Sequence, residues 1–139
     1  MRFCTIVGNT ATGVGGGVNC AEDNWGDMGH DNIIWGNEAS ASPDINTEGV
    51  AYLANWKNIC SSVQVGENTS DRSLVADPLF WNAAKGNYRL RSQSPCRNAA
   101  WGSPMTAVDL DGAPRVRFRF PDIGCYECQL GAGLLLLVK

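Results

Sequence analysis

Charge, histidine and long apolar runs are all scarce in this chain of 139 residues. Asp, Glu, Lys and Arg make up 18% of it, against the roughly 25% of ordinary domains. There is one histidine, His30, which leaves no imidazole cluster for a metal and a single candidate base for a Ser-His-Asp arrangement. No G-x-S-x-G elbow or phosphate-binding glycine motif occurs. The apolar run near the C-terminus, counted from Leu130 to Val138, is about half the ~20 residues that cross a bilayer, and reads as a strand or a frayed tail. The apolar stretch at residues 3–7 falls short of the roughly 7 to 15 residues of a signal peptide. Strong helix formers are sparse throughout, which excludes a helical bundle or a coiled coil.

What the chain has instead is turn chemistry, with 16 glycines and 12 asparagines. This predicts one mostly β and turn domain, long enough to bury a core. A net charge of −3 has the wrong sign for a protein drawn to phosphate, so no nucleic-acid partner is expected. The charge is uneven: residues 1–80 hold three bases against ten acids, residues 81–139 eight bases against four. A boundary near Asp77-Pro78-Leu79-Phe80 therefore separates residues 1–76 from a module at 77–128, followed by an apolar tail at 129–139. Six cysteines stand at 4, 20, 60, 96, 125 and 128. Cys125-Tyr126-Glu127-Cys128 has no second CxxC to complete a zinc site and no following helix pattern to make a redox dithiol. Buried structural thiols, with room for one or two disulfides, are expected.

A repeat organises the first part. Thr5-Ile6-Val7-Gly8-Asn9 recurs as Ile33-Ile34-Trp35-Gly36-Asn37, and Asn58-Ile59-Cys60-Ser61-Ser62 is a weaker echo. Short β-branched runs separated by tight turns, with a period in the twenties, fit a parallel β-solenoid in which equivalent positions stack. Ile6 over Ile34 over Ile59 then forms an inward stack, and Asn9 over Asn37 an amide ladder. An antiparallel sandwich competes, but the one Asp-Gly dipeptide, at 111–112, lies outside the repeats.

Cys4-Thr5-Ile6-Val7-Gly8-Asn9-Thr10-Ala11 with Gly15-Gly16-Gly17-Val18, and then Asn32-Ile33-Ile34-Trp35-Gly36-Asn37, resemble the coils of bacterial right-handed parallel β-helix surface proteins, including polymorphic outer-membrane protein repeats. From Asp77 onward five ordered motifs carry a closer likeness: Asp77-Pro78-Leu79-Phe80, Gly86-Asn87-Tyr88-Arg89-Leu90, Ser94-Pro95-Cys96-Arg97-Asn98-Ala99, Asp109-Leu110-Asp111-Gly112-Ala113-Pro114-Arg115 and Asp122-Ile123-Gly124-Cys125-Tyr126-Glu127. This series is similar to the choice-of-anchor Q type module that closes many such β-helices before a surface anchor. The resemblance implies an all-β fold of about three right-handed coils and a β-rich C-terminal cap, in a secreted or cell-surface protein whose remaining coils lie upstream. The cap is expected over the open end of the last coil, with Tyr88, Leu90, Ile123 and Tyr126 as its apolar face and Arg115 paired with Glu127.

Right-handed β-helices also host polysaccharide lyases and glycoside hydrolases, which need clustered carboxylates on one groove. The acidic segment Glu22, Asp23, Asp27 and Asp31, with His30, lacks such spacing and reads as a solvated turn. Asp109 and Asp111 resemble half a calcium loop, the one candidate cofactor being Ca2+. Of five tryptophans, Trp35, Trp56, Trp81 and Trp101 are expected in the core, and Trp25 exposed, making a glycan-contacting surface with Asp23 and Asp27. The leading expectation is a non-catalytic, adhesin-like β-helix segment with a glycan or host-surface ligand. The alternative is the C-terminal piece of a carbohydrate-active enzyme.

Overall fold

A computed structural model describes residues 1–20, 29–46, 56–65, 72–101, 104 and 106–130. It is all-β, built of small sheets, with no α-helix among the described residues. β-Branched residues lie in five of the first six strands, β1 (Thr5–Val7), β2 (Val18–Asn19), β3 (Ile33–Trp35), β4 (Ile45–Asn46) and β6 (Leu74–Val75), and β5 (Cys60–Ser61) has none. Strands β1, β3, β5 and β6 form a four-stranded parallel sheet in that order, and β2 pairs with β4, also parallel. Thr5, Ile6 and Val7 lie opposite Ile33, Ile34 and Trp35, and Val18 opposite Ile45. Isolated parallel bridges Thr10 to Glu38 and Val14 to Ala41 extend the same correspondence between the sheets. The last rung is short, since β6 pairs with β5 after a step of only 14 residues, Cys60 to Leu74.

The corners repeat as the strands do. Gly8 and Gly36, each just after a strand, share a φ of +66°, a conformation that suits glycine because it has no Cβ. Two residues before β1, β3 and β5 stand Phe3, Asp31 and Asn58, with φ of 52°, 61° and 55°. Asp and Asn tolerate this left-handed turn, whereas Phe does so at a cost that packing must offset.

Strand β3 lies between two cores, so its neighbouring residues Ile33 and Ile34 enter different ones, which is why it reads as an unbroken apolar run. Ile34, Ile45, Ile59, Cys20, Trp56 and Val65, with Ile6 and Val18, fill one core. Ile33, Cys60, Phe80, Leu90, Cys96 and Ile123 form the other, against which Phe3, Val7, Trp35 and Leu74 pack. The expected vertical stack is corrected in one rung: Ile34 is opposite Ser61, and Ile59 joins Ile6 and Ile34 from one position before β5.

The C-terminal module begins with the antiparallel hairpin of β7 (Phe80–Asn82) and β8 (Asn87–Leu90), joined through a 3-10 turn, Ala83–Lys85. The described residues beyond β8 form no further strand and tie back through Ile123 N–H to Cys96 O at 2.9 Å and Ala100 N–H to Pro121 O at 3.1 Å. The module packs along a face of the parallel sheet. Gly124 N–H donates to Asp31 O at 2.9 Å, Cys125 N–H to Thr5 Oγ1 at 3.1 Å and Trp101 N–H to Asp31 Oδ1 at 3.0 Å. Gly124, at φ +99°, approaches so closely that a Cβ there would stand 2.7 Å from Ile33 Cδ1. Of the expected apolar face, Leu90 and Ile123 are in the core and Tyr88 packs against it, while Tyr126 sits outside under the Arg89 guanidinium, 4.7 Å from its ring centre. All six cysteines are free thiols.

Candidate functional site

The hairpin positions the candidate site. Along β7 the alternation turns Phe80 inward, stacked edge-on to Tyr88 at 5.3 Å, and sends Trp81 outward with 55% exposure. Arg91, just past β8, donates from Nη2 to Trp81 O at 3.1 Å. Two depressions share Trp81 and Leu130 as walls. One, of about 560 Å³, is completed by Arg91, Ser92 and Gln93. The other, of about 260 Å³, adds Asn87, Arg89, Asp111, Glu127 and Gln129.

Arg89 and Asp111 make the one ion pair among the described residues, Nε to Oδ2 at 2.6 Å with Nη2 on Oδ1, and this raises the arginine's pKa further. Asp109, paired with Asp111 in the calcium expectation, is a turn brace. Its Oδ1 accepts the Asp111 and Ala113 amides, both at 2.9 Å, and its Oδ2 the Glu127 amide at 2.8 Å. Both carboxylates are thus engaged by donors of the chain, and no group of three or more His, Cys, Asp or Glu suited to a metal occurs among the described residues.

Beneath the site lies a buried polar network. Asp122 accepts the Asn98 amide at 2.7 Å and the Cys128 amide at 2.6 Å, and burial raises its pKa. Glu127 accepts the Asp122 amide on Oε2 at 2.9 Å, while Oε1 is buried without a partner. Burial, opposed by that amide and reinforced by the Asp122 charge, pushes the Glu127 carboxyl from its ordinary 4.5 up to about 7. The expected ion pair with Arg115 is corrected: no such contact forms. Arg115, 2% exposed, donates from Nη2 to Gly124 O and lies 4.3 Å over the Phe3 ring, and Glu127 acts on it only through space. Burial lowers the Arg115 pKa, and its Nε and Nη1 have no partner.

Asn9 and Asn37 do meet, Nδ2 to Oδ1 at 2.9 Å, and Asn37 further donates to Ile6 O and Asp44 Oδ1, both at 3.0 Å. Two further rungs escaped sequence reading, each at a spacing of 27 residues against 28 for Asn9 and Asn37: Asn46 Nδ2 to Asn19 Oδ1 at 2.9 Å and Asn58 Nδ2 to Asp31 Oδ1 at 2.8 Å. Asp23, Trp25 and Asp27 lie outside the described residues. Among the remaining tryptophans Trp56 is buried, Trp35 is half-buried, and Trp81 and Trp101 are exposed, against the expectation of core packing. The signal for Trp81 was available: adjacent residues of a strand face opposite ways, so Phe80 and Trp81 cannot share a core. No family model matches the chain, and neither does any curated protein or solved structure.

Proposed function

We propose that the chain is a non-catalytic segment of a secreted or cell-surface right-handed parallel β-helix, adhesin-like in role, whose C-terminal module seals the flank of the coils. The observation that carries this reading is the shared register: residues 5–19 and 33–46 pair in parallel at two sheets and two bridges between them. One circuit per repeat, with Asx side chains bonded rung to rung, is how stacked coils satisfy their corners.

The carboxylates favour a structural role as well. Asp109 and Asp122 accept backbone amides through both oxygens, and Asp111 is held by Arg89. One observation favours the carbohydrate-active alternative, namely the Glu127 carboxyl with its raised pKa at the wall of the Trp81 cleft. Incubation with a panel of plant, algal and microbial polysaccharides, followed by reducing-end and unsaturated-uronate assays, separates the two. No turnover is expected. Turnover abolished by Glu127→Gln overturns the structural reading in favour of the enzyme.

A further inference from the structure

Trp81 presents an indole that is 55% exposed, with no ring or guanidinium stacked on it among the described residues. It stands on a strand of the hairpin, so its position is fixed by the ladder below and by the Arg91 bond to its carbonyl. The two depressions beside it are lined by groups that both donate and accept, Asn87 and Gln129 in one, Ser92 and Gln93 in the other. An indole face bordered by such groups suits a pyranose, whose axial C–H bonds lie against the ring while its hydroxyls reach outward.

The charge around the cleft selects among sugars. Arg89 is neutralised by Asp111. Arg91 has no carboxylate partner among the described residues, and its guanidinium, bonded from Nη2 to Trp81 O, has other N–H groups left to donate. Two more arginines reach the rim: Arg97 donates from Nη2 to Leu130 O at 2.7 Å, and Arg117 from Nη1 to Gln129 Oε1 at 2.8 Å. Neither has a carboxylate partner among the described residues. The rim is therefore positive on a chain whose net charge is −3.

We propose that the Trp81 cleft binds an acidic oligosaccharide, with a uronic-acid ring stacked on the Trp81 indole and its carboxylate held by the Arg91 guanidinium. Arg97 and Arg117 attract the neighbouring residues of the chain through space. The site differs from the Asp23, Trp25 and Asp27 surface expected from sequence, and it stands whether or not further coils precede this segment.

The test is calorimetric titration of the full chain with trimannuronate, using neutral mannotriose as the control, on wild type, Trp81→Ala and Arg91→Gln. Saturable binding of trimannuronate is expected, weakened by added salt, lost in Trp81→Ala and weakened about tenfold in Arg91→Gln, the loss typical of one charge-assisted contact. Mannotriose binding as tight as trimannuronate overturns the proposal, as does an unchanged titration in Trp81→Ala. Absence of binding by wild type overturns it too. The melting temperature of Trp81→Ala gives a second readout: a value equal to wild type accords with an open cleft, whereas a large fall marks the indole as packed under the chain's own apolar tail and sinks the proposal.

Discussion

Burial takes the Glu127 carboxyl out of water and leaves Oε1 without a donor, so its proton is held to about pH 7 in the folded chain. Unfolded, the same group releases its proton near 4.5. Between those values the native state binds the extra proton, so this contribution to stability is full below about pH 4.5 and is lost as pH rises through 7. Burial pushes Asp31 and Asp122 in the same direction. Stability is thus expected to fall from pH 5 to pH 8, by about 2 to 3 kcal/mol for Glu127 alone. Urea melts at the two pH values check this, and Glu127→Gln, which mimics the protonated carboxyl, should remove most of the decline. A wild type more stable at pH 8 than at pH 5 contradicts the assignment. The sequence placed Arg115 and Glu127 near each other but not their partners. Each is claimed first by backbone, the Gly124 carbonyl and the Asp122 amide, and nothing in residue type announces a backbone partner.

At the scale of elements, the repeat made the strands legible because β1 and β3 keep the same β-branched pattern, glycine and asparagine at equal spacing. The third strand was legible only approximately, since Cys60-Ser61 carries no such pattern and its register is set by the cores on either side. The fourth, Leu74–Val75, comes after a shortened circuit that no repeat signals. The Asn bonds between successive repeats differ in worth because they differ in burial. Asn37 is 5% exposed and bonds to Asn9, Ile6 and Asp44, whereas Asn9 is exposed. Asn37→Ala strands several buried groups and is expected to cost about 3 kcal/mol, and Asn9→Ala less than about 1 kcal/mol. Thermal or denaturant melts of the two variants, run side by side, read the difference. Equal losses would mean that water reaches Asn37 and that the ladder is a surface feature.

For the whole molecule, two cores share one sheet, and the module closes the second of them from the side. Composition foretold β structure, yet it could not say which face of the parallel sheet the C-terminal segment covers. That depends on Ile33, Cys60 and Leu74 facing the second core, and a residue's face follows from register rather than from type. The exposed Trp81 follows from the same rule applied to the hairpin. The central claim is that successive repeats lie side by side in parallel at this register. Hydrogen-bond scalar couplings measured by NMR test it most directly, through the bonds Ile33 N–H to Cys4 O and Cys60 N–H to Asn32 O, each 2.9 Å, and Val18 N–H to Asp44 O at 2.9 Å. Couplings across all three pairs, with slow exchange of the Ile33 and Cys60 amides, are predicted. Couplings that instead join these strands in antiparallel order, or fast exchange of both amides, would contradict the account.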